Sequence, residues 1–151
     1  MIVSPPIRRE FDKIQPYLNI LYINVRSTIL KFCTDKGYAF TDRIKSIDSL
    51  SEKIETGRFE KWSDIDDFYA ASIIIPNLSK EKEVIYFLQT TFDEVDLKKR
   101  GSTLKSPDVF RFESTRFIGR FKQSGTKTEI SNINFEIQIK TAFEHAWSVS
   151  T

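Results

Sequence analysis

From Leu18 to Phe32 the apolar residues Leu18, Leu21, Tyr22, Val25, Ile29 and Phe32 return every three or four positions, which lays them along one side of a helix. Gly37 supplies a stop, since glycine readily adopts the left-handed conformation that ends helices. Upstream, Gln15-Pro16 predicts a break, because proline disfavours helix in the residue before it; the lead-in over 1–37 therefore reads as two helical pieces. The period then changes. "YAFTDRIKS" predicts a strand, and "SIDSLSEKIETG" a helix ending at Gly57. Ala70 to Ile75 is apolar on both parities, as in a central strand covered on both faces, and Pro76-Asn77 closes it.

The second half reads similarly. "SKEKEVIYFLQTTF" predicts an amphipathic helix with Ser79 as its cap. "DEVDLKKRGSTLKSPDV" predicts an edge strand running into a mobile basic loop. "FRFESTRFIGRF" and "TEISNINFEIQIK" predict two strands around "KQSGTK", whose Ser-Gly favours a hairpin. In the last of these Phe135, Ile137 and Ile139 alternate with Glu136, Gln138 and Lys140, so an acid, an amide and a base share one face. Thr141 and Glu144 then have the spacing of a capping box at the start of a helix. The order predicts an α/β (α+β) layered fold: a mixed sheet flanked by helices, behind a helical lead-in. No repeat or boundary divides it, so residues 1–151 are expected to form one domain.

Composition narrows the function. A chain of 151 residues with 40% hydrophobic residues and 13 Phe can bury a sizeable core. Its 23 basic and 21 acidic residues nearly balance, unlike the strongly basic surface of a general nucleic-acid binder. The one cysteine, Cys33, rules out an internal disulfide, fits a reducing compartment, and lies in an apolar helical stripe as a core residue would. No secretory signal or membrane-length apolar run is present, so a cytoplasmic protein with no membrane partner is expected. The one histidine, His145, excludes a His-rich metal site and argues against a Ser/His triad. There is no Walker-type glycine loop and no GxGxxG.

Three clusters remain. Arg43 and Lys45, followed by Ser46, Ser49 and Lys53 at a helix start, have the make-up of a polyphosphate cradle; a solvated strand edge is the competing reading. Asp64, Asp66 and Asp67 precede a buried strand, where an Asp can hold a hard cation such as Mg²⁺; acids favouring the first turn of a short helix are the alternative. Glu136, Gln138 and Lys140 form either one wall of a site or the wet face of an edge strand.

Taken together, "RIKSIDSLSEK", "DDFYAASIII" and "FEIQIKTAFEHAW" resemble, in that order, the synthetase domain of the RelA/SpoT family, the alarmone (p)ppGpp synthetases. The resemblance runs from about Tyr38 to the C-terminus. It implies a nucleotidyltransferase-like fold and transfer of the β,γ-pyrophosphate of ATP to a nucleotide 3′-hydroxyl, most simply that of GDP or GTP, with Mg²⁺ as cofactor. Carried over residue by residue, Arg43, Lys45 and Ser46 would hold the ATP phosphates with support from Lys53. Asp67 and Glu136 would be the catalytic, metal-binding pair; Gln138 and Lys140 would line the acceptor side, and His145 would shape the site. The family's G-Y-x-S-x-H strand is matched by "RFESTRF", with Phe112 for Tyr, Ser114 retained and Arg116 for His. Phe112 can still stack on a base, which needs only the ring face. Ser72 stands where the family has Arg.

These departures leave two alternatives open. One is a toxin-like member that modifies another acceptor, such as a tRNA 3′ end tracked by Lys98, Lys99, Arg100, Lys105, Lys122 and Lys127, with an antitoxin or other regulatory protein as partner. The other is a non-catalytic member that binds a nucleotide or a protein. The resemblance also leads one to expect further helix beyond Thr151, and leaves room for a homo-oligomer.

Overall fold

Helix α1 runs unbroken from Pro5 to Lys36 in a computed structural model that describes residues 5–45, 67–101, 114–122 and 133–150. The break expected at Gln15-Pro16 does not occur: Pro16 lies inside the helix. The reason is tertiary. Leu18, Leu21, Val25, Ile29 and Cys33 are buried against the sheet, and Phe11 and Ile14, upstream of Pro16, pack on the same core. Each buried aliphatic contributes about 1.5–3 kcal/mol, which together outweighs a helix-interior proline cost of about 3 kcal/mol. Gln15 and Pro16 themselves are exposed, so water can satisfy the carbonyl that loses its donor. The helix stops as expected. Gly37 has φ 77°, and the Tyr38 N–H returns to the Cys33 carbonyl at 2.8 Å.

Among the described residues five strands follow: β1 (Ala39–Ile44), β2 (Tyr69–Ile75), β3 (Asp93–Lys98), β4 (Thr115–Arg120) and β5 (Phe135–Thr141). Helix α2 (Glu81–Thr91) lies between β2 and β3, and α3 (Ala142–Ser150) follows β5. The spatial order is β1-β2-β5-β4-β3. Only β2 and β5 are parallel; every other neighbouring pair is antiparallel. The sheet is therefore mixed, as the pattern predicts, with β3 at an edge and β2 inside. β5 is its central strand, which settles against the wet edge-strand reading of Glu136, Gln138 and Lys140.

The expected Ser79 cap gives way to Asn77. Extended at φ −159°, Asn77 accepts the Ser79 N–H at 3.0 Å and caps a short 3-10 turn, Leu78–Lys80. Asparagine is among the best capping residues, and here it comes first along the chain. α2 then starts behind Lys80, which makes no side-chain cap bond. The box on α3 forms as expected: the Thr141 N–H donates to Glu144 at 2.9 Å, and the Glu144 N–H to Thr141 Oγ1 at 3.1 Å.

The sheet's two faces differ. On one, Tyr69, Ala71, Ile73, Ile75, Phe117, Phe135, Ile137 and Ile139 join the buried stripe of α1 and Val84, Ile85 and Leu88 of α2 in one core. Phe32 of α1 stacks on Phe87 of α2 with ring centroids 3.9 Å apart. Burial pushes the Cys33 thiol up to about 11, so this residue belongs to the core and stays a thiol. The opposite face carries the polar residues of alternate parity. Among the described residues no helix is long and apolar enough to cross a membrane.

Candidate active site

Strand register brings the distant motifs onto that second face. Thr41 is opposite Ser72, Ser72 opposite Gln138, and Gln138 opposite Arg116, so these four form one row across β1, β2, β5 and β4. The next row runs Arg43, Ala70, Glu136, Ile118. With strands about 4.8 Å apart, Arg43 and Glu136 stand roughly 10 Å apart at the backbone, within the combined reach of their side chains. Lys140 sits one pleat beyond Gln138 on the same parity.

Thr41, Asp42, Arg43, Ala70, Ala71, Ser72, Gln138 and Lys140 line an open pocket of about 250 Å³; its one acid, Asp42, is taken by Arg26 and Tyr69. That volume is below the roughly 300–1,000 Å³ usual for small-molecule sites. Its two cations, Arg43 and Lys140, make no ion pair among the described residues. Ser72 lines the pocket on β2, the strand between those that carry them. Thr41 was not singled out by the sequence motifs, although its i, i+2 relation to Arg43 on a strand is the signal that identifies it.

The two carboxylates are each held by a base from a neighbouring strand. Lys45 Nζ donates to Asp67 Oδ2 at 2.9 Å, and the Lys45 N–H donates to the Phe68 carbonyl at 2.9 Å, joining the end of β1 to the entrance of β2. Glu136 is only 6% exposed, and its Oε1 lies 2.6 Å from Arg116 Nε. Ser114 Oγ donates to Gln138 Oε1 at 3.4 Å, linking the chain just before β4 to β5.

The donor set suits a hard divalent cation, because carboxylates are its preferred protein ligands. The Arg116 contact uses Oε1 of Glu136, and no described residue donates to the buried Oε2, so one oxygen is available for a metal. Among the described residues no three His, Cys, Asp or Glu side chains gather in a ready-made cage.

Arg100 differs from the phosphate-tracking role its basic neighbours suggest. Its side chain is 18% exposed and turned inward. Nε donates to Glu81 at 3.0 Å, Nη2 to the Ile139 carbonyl at 3.0 Å, and Nη1 to Glu144; the backbone N–H donates to Thr115 Oγ1 at 3.1 Å. One guanidinium thus ties the starts of α2 and α3 to β5, while its backbone holds β4. Burial alone would lower the Arg100 pKa, but its bonds to Glu144 and Glu81 outweigh that and raise it. Burial would likewise push the Glu144 carboxyl up, yet Arg100 and Thr141 hold it below its ordinary value. Lys122 is also committed, donating to the Thr90 carbonyl at 2.6 Å.

Of the residues singled out in the sequence, the structure gathers Arg43, Gln138 and Lys140 around the pocket, Asp67 with Lys45, and Glu136 with Arg116. His145 is on α3, half-buried, and does not line the pocket. Ser46, Ser49, Lys53, Asp64, Asp66, Lys105, Phe112 and Lys127 lie outside the described residues.

The family described as the region found in RelA/SpoT proteins matches residues 42–150. No curated protein matches the chain in sequence. Among solved structures, small alarmone synthetase 2 from Bacillus subtilis is 20% identical with TM-score 0.67, over 90% of this chain and 76% of that one. Small alarmone synthetase 1 from the same organism, bound to its product pppGpp, is 15% identical with TM-score 0.72, over 94% and 77%. A GTP pyrophosphokinase family protein from Streptococcus pneumoniae is 19% identical with TM-score 0.63, over 97% and 75%. At such identities the likeness establishes a shared fold.

Proposed function

Because the chain belongs to the RelA/SpoT family, we propose that it is a pyrophosphokinase that moves the β,γ-pyrophosphate of ATP onto the 3′-hydroxyl of GDP or GTP, making a (p)ppGpp-type alarmone, and that residues 1–151 form its synthetase domain. One observation carries the reading: two cations without an acidic partner among the described residues, Arg43 and Lys140, share a pocket on the face that presents the buried Glu136. Cations in a folded chain usually find carboxylates; a pair left open in a concavity suits a polyanion.

In the reaction the acceptor's 3′-oxygen attacks the β-phosphorus of ATP, the bond from that phosphorus to the α,β-bridging oxygen breaks, and AMP leaves. Arg43 would hold the donor phosphates, and Lys140, expected from the resemblance on the acceptor side, shares its pocket and would help offset their charge, which matters most where charge spreads in the transition state. Glu136 would take the proton released by the 3′-hydroxyl, Lys45 would orient Asp67, and Gln138, steadied by Ser114, would orient the acceptor. Asp67 and Glu136 are the residues that would hold Mg²⁺, which when bound supplies further neutralisation of the phosphates. No step needs a covalent enzyme intermediate.

The test is incubation of the full protein with γ-labelled ATP, Mg²⁺ and GDP, GTP or tRNA. Label should pass to GDP or GTP and be lost in Asp67→Asn and Glu136→Gln. Label on tRNA alone would replace the acceptor. Tight binding of a non-hydrolysable ATP analogue without turnover on any acceptor would sink the catalytic reading in favour of nucleotide binding.

A further inference from the structure

The core-facing side of β1 changes character toward the end that carries Arg43 and leads into Lys45. Phe40, Asp42 and Ile44 share that side. Phe40 packs on the core, but Ile44 is 47% exposed. β1 is also an edge of the described sheet, with β2 as its strand neighbour there. Apolar burial therefore does little to hold this stretch, and a polar cluster stands in its place. Asp42 Oδ2 accepts the Tyr69 hydroxyl of β2 at 2.9 Å and lies 3.3 Å from Arg26 Nε of α1. Arg26 Nη1 also donates to the Tyr22 hydroxyl at 3.2 Å, and the Tyr22 ring meets that of Tyr69 edge to face, centroids 5.4 Å apart. Tyr69 is 1% exposed; burial first and Asp42 second push its pKa up, so the hydroxyl stays a donor. Two apolar side chains could join β1 to β2 without burying a hydroxyl and a carboxylate. The polar pair adds direction. Tyr69 is opposite Ile44 in register, so its bond to Asp42 runs diagonally and resists both sliding and lifting of β1.

We propose that Asp42 is a positioning residue for the donor: held by Tyr69 and Arg26 on one side of the sheet, it fixes the end of β1 so that Arg43, the next residue, meets the ATP phosphates on the other. The inference rests on the pyrophosphokinase reading and adds to it a control of donor binding that reaches from α1. Successive residues of a strand point to opposite faces, so a displacement of Asp42 carries Arg43 with it. Arg43 makes no ion pair among the described residues, so the placement of its backbone decides where its charge stands. The same stretch delivers Lys45 to Asp67 at 2.9 Å. Such placement is worth much, since an error of about 1 Å in a positioned group can lower a rate by about a hundredfold. Glu136 and Gln138 stand on β5, two strands from β1 and paired with β4, so the acceptor side is set independently.

The test reads donor and acceptor binding separately. A non-hydrolysable ATP analogue and GDP are titrated calorimetrically into the full protein and its Asp42→Ala, Asp42→Asn and Tyr69→Phe variants, each alone and combined with Arg43→Gln, and every Tm is recorded. Val84→Ala, a cavity in the core on α2, supplies a destabilised comparator. Asp42→Ala should weaken the analogue about tenfold, the scale of one charge-assisted contact, and leave GDP affinity unchanged. Asp42→Asn can still accept the Tyr69 hydroxyl and should recover part of that affinity. Tyr69→Phe, which removes one oxygen and keeps the ring, should lose severalfold; it decides the matter by the same comparison if Asp42→Ala does not fold. Beside Arg43→Gln these losses should vanish, because a residue acting through Arg43 then has nothing left to position. A variant that melts lower, as Val84→Ala does, yet binds the analogue like the wild type overturns the proposal. A loss that persists in full beside Arg43→Gln overturns it too. If Arg43→Gln alone leaves analogue affinity unchanged, the donor pocket and this proposal fall together. If analogue binding depends on Asp42 through Arg43 but no acceptor turns over, the catalytic reading fails while this one stands.

Discussion

Replacing Arg100 by methionine keeps the length of the stem and removes the charge that α2, β5 and α3 share. Glu81 and Glu144, with side chains 16% and 10% exposed, would be left facing each other without a cation, and the Ile139 carbonyl would lose its donor. Breaking a buried pair by removing one partner costs about 3–5 kcal/mol, a large share of the roughly 5–15 kcal/mol that stabilises a domain. For a chain of this size each kcal/mol is worth about 2–4 °C in Tm, so a fall of roughly 6–20 °C is expected. The pH dependence has a defined sign. In the wild type Glu144 is held below its ordinary pKa, so the stability it contributes is present above the unfolded value and is lost as pH falls through the folded value. In Arg100→Met, burial and the neighbouring Glu81 favour the protonated form, so acid relieves the defect. Urea unfolding at pH 7 and about pH 4, close to the ordinary glutamate pKa, should show the gap between wild type and variant narrowing in acid. Adding Glu144→Gln, which can still accept the Thr141 N–H, should recover part of the loss. A variant within about 1 kcal/mol of wild type at pH 7, or a gap that ignores pH, would refute the junction as a source of stability.

Pro16→Ala should restore the helical hydrogen bond that α1 lacks at an exposed position and raise stability by about 1–3 kcal/mol, after allowing for the freer unfolded chain; a lower urea midpoint would show that Pro16 has a packing role instead. Gly119→Ala should do the opposite. A Cβ there would lie 2.5 Å from Phe117 Cε1 and 3.3 Å from Phe135 Cε2, so overpacking of about 1–3 kcal/mol is expected in the same assay.

Much of the chain could be read locally. The apolar stripe of α1, the doubly apolar β2, the alternation of β5 and the Thr141–Glu144 box all depend on residues within a few positions of one another, and all formed as expected. The site was half legible for the same reason: Arg43, Asp67 and Glu136 stand in recognisable local motifs. What failed was local inference where distant packing intervened. Pro16 signals a break in any short peptide, but the core closed over α1 on both sides of it. Ser79 is a good cap, but its own N–H and hydroxyl both donate to Asn77, which caps the turn two residues earlier.

The sequence by itself determined the period of each element, the caps that bound most of them and the motif set that marks the family. The tertiary structure alone decided that β5 runs through the centre of the sheet, that Arg100 turns inward to Glu81 and Glu144, and that Arg116 leans along β5 to hold Glu136. The physical reason is that helical and strand periods are set by a few neighbouring torsions, whereas an ion pair between residues 20 or 44 positions apart exists only once strand register and helix packing have brought the two together.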